Sequence, residues 1–135
     1  MFKLILTVAM LFVGAGVNAD IAIIVHPASA VETSKDDIVR LYTGRSNTLN
    51  GAAVVPLNLS DGHDLRNSFD NDVLGRSPSQ VKAYWSKLVF TGKGSPPKEV
   101  GSAAEVIDLV AKNPNIIGYV NNADVTDNVK VVATF

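Results

Sequence analysis

The 135 residues include no cysteine, two histidines and a single tryptophan. Without cysteine there is no disulfide framework, no thiolate nucleophile and no thiolate metal site, so any fold must rest on buried apolar surface. A domain of this size can bury roughly two-thirds of its unfolded surface, which is enough. His26 and His63 form no helical pair and leave zinc without a ligand set. Charge is also scarce: 12 basic and 13 acidic residues give a net charge of −1, with no basic footprint for nucleic acid or anionic lipid. The hydrolase nucleophile elbow is missing, and so is the phosphate loop. Thr91-Gly92-Lys93-Gly94 puts Lys87 where that loop needs its first glycine and Gly94 where it needs Ser or Thr. No catalytic set emerges, and the chain reads as a non-enzyme that needs no cofactor and no metal.

What is present begins with a leader. In MFKLILTVAMLFVGAGVNA, Lys3 supplies a positive n-region, Leu4 to Val13 an apolar core, and Val17-Asn18-Ala19 a small-residue cleavage pattern. Residues 1–19 are therefore expected to be a signal peptide and residues 20–135 a single exported domain. The apolar run is shorter than the roughly 20 residues a bilayer span needs, and no later segment reaches that length, so no stable membrane insertion is expected once the leader is removed. Removing the leader, which holds Lys3 and no acid, leaves a net charge of −2.

Strand and helix signals alternate after the leader. IAIIVHP (Ile21 to Pro27) is continuously apolar, as a central parallel strand covered on both faces would be. Ser34 caps a short helix with Ile38, Leu41 and Tyr42 on one side and Gly44 at its end. SNTLNG is a loop, and AAVVPLN a strand whose Pro56 marks an edge or a strand end. A helix is expected from about Gly62 to Leu74, with Leu65, Phe69 and Val73 inward. Ser77-Pro78-Ser79-Gln80 is a capping box with proline at the first helical position, and it opens a helix carrying Val81, Tyr84, Trp85, Leu88 and Val89 on one face. TGKGSPPK breaks that helix. Ser102 caps another with Val106, Leu109 and Val110 apolar, ending at Asn113-Pro114. NIIGYV and VKVVATF read as closing strands joined by a polar turn. The pattern predicts one α/β domain with a mixed or parallel sheet of four to five strands flanked by helices.

The junction LNLSDGHDLRNSF is the candidate site. The start of a helix after a strand carries unpaired N–H groups that attract anions. Ser60, Asp61, Gly62, His63 and Arg66 lie there as candidate anion-binding residues, although Ser60 or Asp61 could equally cap the helix with its own side chain. Arg66 could grip a carboxylate or phosphate with its fork of donors, or pair with Asp70 at i+4. Asp61 and Asp64 oppose an anion: a like-charge pair about 4 Å apart costs roughly 4 kcal/mol at an effective dielectric near 20.

LYTGR (Leu41 to Arg45) resembles the "FLGK" that ends a helix in periplasmic phosphate-binding proteins of ABC transporters, and NIIGYV (Asn115 to Val120) resembles their "GAIGYV". Between them, a capped helix, a polar loop, a strand with Val-Pro, a helix with Phe at its second turn and AYWSKLVFTGKGSPPKEV follow in the order of small exported proteins of that kind. The resemblance implies one lobe of a type II periplasmic binding protein, located in the periplasm and tied to phosphate uptake. Where the family reads Ser-Gly-Thr and then Arg and Phe, this chain has His63, Asp64 and Leu65 before Arg66 and Phe69; Asn58 and Leu59 stand where the family has an arginine on the preceding strand. The resemblance thus implies two roles. One is a solute-binding lobe for phosphate or another small anion, whose cleft a second copy could complete as a homodimer. The other is a lobe repurposed to meet an envelope protein partner without tight phosphate binding.

Overall fold

The computed structural model describes residues 20–135; the expected leader lies outside them. Five strands form a mixed sheet. The first, β1 (Ile21–Val25), is buried along its whole length, as its unbroken apolar run requires. It is followed by α1 (Lys35–Tyr42), a two-residue hairpin of β2 (Thr48–Leu49) and β3 (Ala52–Ala53), and β4 (Val55–Leu59). Next come α2 (Asp64–Ser68), a π-helical segment (Phe69–Leu74), α3 (Pro78–Phe90), β5 (Lys98–Val100), α4 (Ala103–Lys112), β6 (Ile116–Asn121) and β7 (Lys130–Thr134). The sheet order is β5-β4-β6-β1-β7. Among the described residues no helix is long and apolar enough to cross a membrane.

Two expectations need correction. β1 lies inside the sheet but runs antiparallel to both neighbours, β6 and β7, because the chain's last two strands flank its first; the parallel pairs are β4 with β5 and β4 with β6. Pro56, read as marking an edge or a strand end, marks a strand end, since β4 pairs with both β5 and β6. Pro56 is accommodated as the strand's second residue, and the loss of its N–H is confined to that end. The strand read as continuous from Ala52 is broken at Val54, because Asn50 and Gly51, both with positive φ, turn the preceding chain into the β2–β3 hairpin.

The helices form where caps and apolar spacing coincide. Ser34 and Ser77 close reciprocal capping boxes with Asp37 and Gln80, and the Ser102 hydroxyl accepts the Glu105 N–H. α4 packs on one face of the sheet, against β6, β1 and β4. Gly118 makes this possible: a Cβ there would lie 2.6 Å from the Val106 side chain. On the other face Phe69 stacks on Tyr119 at 3.9 Å and meets the edge of Tyr42 at 4.8 Å. α1 and α3 both pack against the π-helical segment. Gly44, in the left-handed region after α1, lies against Trp85, which is buried as expected, whereas Val89 on the same helix is half exposed.

Candidate functional site

The expected helix from Gly62 to Leu74 is present as two pieces, and the difference sets the site's geometry. α2 is short, and its His63 N-cap uses its own ring nitrogen Nδ1 to accept the Leu65 N–H at 3.2 Å. From Phe69 the winding widens to the π form, so that Asp70 and Leu74 are buried along with Phe69 and Val73. Asp70 is thereby turned inward beneath Arg66. The i,i+4 spacing announces the pair, but no local pattern announces the winding that buries it.

Arg66 is held on three sides. Its Nε donates to both Asp70 oxygens at 3.1 and 3.2 Å, and its Nη1 donates to the Leu59 carbonyl at 2.8 Å and to Glu99 Oε1 at 3.0 Å. The residue is only 6% exposed. Burial works against its charge, but the Glu99 hydrogen bond and the Asp70 carboxylate more than offset that, and its pKa is raised. Asp70 is fully buried; burial raises its pKa and Arg66 only partly opposes the shift. Glu99, on the short β5 strand, was not legible as a partner because TGKGSPPK gives no strand period and nothing in the sequence places residue 99 beside residue 66.

The five candidate residues do not converge on one point. Ser60 spends both its N–H and its hydroxyl on the Val100 carbonyl, at 3.0 and 3.2 Å, tying the end of β4 to β5. Gly62 takes φ 86°, which makes the turn into α2. His63 faces a concavity of about 270 Å³ with Asp64, Leu65, Ser68, Asp124 and others; two carboxylates and no Lys or Arg line it. Asp61 and Arg66 instead line a separate cavity of about 310 Å³ against α3, together with Asn58, Lys82, Trp85, Val89 and Glu99. Asp61 makes only a loose 3.9 Å pair with exposed Lys82. Among the described residues no three His, Asp or Glu converge as a metal set.

Asn58, named in the sequence only as standing where the family has an arginine, proves to be a buried polar residue of this cavity. Asn58 is 4% exposed, and its Oδ1 accepts the Tyr119 hydroxyl, whose oxygen in turn accepts the Leu59 N–H at 3.4 Å. Burial raises the Tyr119 pKa well above the usual phenol value, so the hydroxyl keeps its proton. A polar side chain in the middle of VPLNL was the available signal.

No protein-family model and no curated protein matches the chain. Several solved structures resemble it. An ABC-type phosphate transport receptor from Vibrio cholerae superposes with TM-score 0.64 at 18% identity, over 84% of this chain and 46% of that one. A structure from Clostridium perfringens, assigned as a phosphate ABC transporter substrate-binding protein and holding bound phosphate, gives TM-score 0.65 at 24% identity, over 84% and 45%. PstS from Borrelia burgdorferi gives 0.56 at 14%, over 77% and 42%. The chain spans less than half the length of each of these proteins. At such identities the likeness speaks for architecture. This chain has the α/β fold of a single lobe of a phosphate-transporter substrate-binding protein.

Proposed function

We propose that the chain is an exported solute-binding lobe, with no catalytic role, that takes a small anion at Arg66 and prefers a singly charged carboxylate to phosphate. The observation that carries this reading is the setting of Arg66. Its guanidinium is fixed by Asp70, Glu99 and Leu59, while its Nη2 has no protein acceptor among the described residues and the side chain lines the cavity. With Nε and Nη1 spent on these partners, the N–H groups left on Nη2 are held in place and preorganised to donate to an anion oxygen. The likeness to phosphate receptors supports solute binding, and the leader expected at residues 1–19 supports a periplasmic location. Of the other four candidates Asp61 lines the cavity with Arg66, while Ser60, Gly62 and His63 shape the turn from β4 into α2.

Charge disfavours phosphate at both concavities. Asp61 and Glu99 line the one beside Arg66, and Asp64 and Asp124 the one beside His63. Each charge of a dianion repels a carboxylate about 4 Å away by a few kcal/mol at an effective dielectric near 20. A thermal-shift series at constant ionic strength tests the reading. Propionate raises the melting temperature through linkage more than phosphate does, and Arg66→Lys, which keeps the charge and loses the fork, abolishes the rise. A larger shift with phosphate, or an undiminished shift in Arg66→Lys, overturns it.

A second reading, a lobe that docks on an envelope protein or on a second copy of itself, draws on Phe90. This side chain is 93% exposed beside half-exposed Val89 at the end of α3. If self-association is the role, Phe90→Ser turns a dimer into a monomer in sedimentation and leaves anion shifts unchanged.

A further inference from the structure

We propose that the cavity beside Arg66 is a subsite for a small zwitterion, an α-amino acid with an apolar side chain: Asn58 and Arg66 hold the carboxylate, and Asp61 and Glu99 hold the ammonium. The inference rests on the reading that Arg66 takes a carboxylate, and adds what stands at the other end of the ligand.

Asn58 supplies the first half. The Tyr119 oxygen accepts the Leu59 N–H and its one proton goes to Asn58 Oδ1, which fixes the amide with Nδ2 on the far side. Nδ2 has no protein acceptor among the described residues, yet no fully enclosed side-chain nitrogen or oxygen lacks a partner. Nδ2 is therefore open, and the surface that Asn58 lines is the cavity. Arg66 Nη2 opens there as well. Two sets of N–H donors on one cavity wall, in a residue pair more than nine-tenths buried, match the two oxygens of a carboxylate.

The second half is the acid on the same wall. Glu99 gives one oxygen to Arg66 and keeps the other, and Asp61 has only its 3.9 Å pair with Lys82. A lone anion meets these carboxylates as repulsion. A ligand that carries its own ammonium turns them into partners. Trp85 and Val89 add apolar wall, which gives half-exposed Val89 a contact. The volume of about 310 Å³ lies at the small end of ligand sites, which run from roughly 300 to 1,000 Å³.

Calorimetric titration of the full chain with leucine, 4-methylpentanoate and isopentylamine separates the parts, since the second lacks only leucine's ammonium and the third only its carboxylate. Leucine binds at least about tenfold more tightly than 4-methylpentanoate, the size of one charge-assisted hydrogen bond, and isopentylamine more weakly than either. Asp61→Asn, at a side chain 58% exposed where folding is not at stake, removes most of leucine's advantage: leucine binds more weakly, and 4-methylpentanoate, relieved of a like charge, binds no more weakly than before. Asn58→Asp, which keeps the Tyr119 acceptor, weakens both acids. Equal binding of leucine and 4-methylpentanoate, with no difference between them opened by Asp61→Asn, overturns the zwitterion and leaves the carboxylate reading standing. Binding of neither acid overturns both.

Discussion

Arg66 and Asp70 carry the largest electrostatic stake of any residue pair described here. Arg66→Met would leave Asp70 without its charged partner inside the fold, and breaking a buried pair from one side costs about 3–5 kcal/mol, read as a lower urea midpoint. Asp70→Asn is milder and depends on pH. Burial raises the Asp70 pKa above its ordinary 3.8, so the folded chain binds a proton there more tightly than the unfolded chain. Asp70's stabilising contribution is thus full below 3.8 and declines as pH rises through its folded value. Wild type should gain on Asp70→Asn as pH falls from 7 towards 4 in paired urea titrations, and a constant gap would contradict the shift. The i,i+4 spacing made this pair legible in the sequence, and Phe69's inward place with it. The contacts of Glu99 and Asn58 were not legible: they meet Arg66 and Tyr119 only through strand pairing and sheet order, which no local pattern encodes.

At the level of elements, the two motifs that suggested the family owe their glycines to packing. Gly118 lets α4 lie on β6, and Gly118→Ala forces Val106 or the helix to move, at about 1–3 kcal/mol of overpacking. Gly44→Ala combines strain at φ 72° with a 2.8 Å contact to Trp85 and should lower the melting temperature measurably. Ser77→Ala opens the best capping box in the chain and should cost about 1 kcal/mol in the same titration. These caps were readable because a cap is a local contract between residues three apart, and α1, α3 and α4 begin where the sequence put them. Strand direction was not readable: unbroken hydrophobicity in IAIIV reports burial on two faces and says nothing about which way a neighbour runs. β5 escaped because three residues after two prolines show no period, and the π-helical winding because Leu65, Phe69 and Val73 satisfy the α spacing equally well.

Taken whole, the molecule has the fold of one lobe of a phosphate-transporter substrate-binding protein, with different side chains where the resemblance puts the anion-holding motif. At the position where the resemblance puts Ser-Gly-Thr, His63 consumes the Leu65 N–H and acids line the concavity; the guanidinium with donors to spare faces the opposite side, towards α3. The most direct measurement is a nuclear magnetic resonance titration that follows the Asn58 side-chain amide, the Arg66 guanidinium and the backbone amides of His63 to Leu65 while propionate and then phosphate are added. Propionate should move the Asn58 and Arg66 signals in a saturable way and leave residues 63–65 in place. Saturable phosphate shifts at His63 to Leu65, with Asn58 and Arg66 unmoved by either anion, would contradict the proposed site.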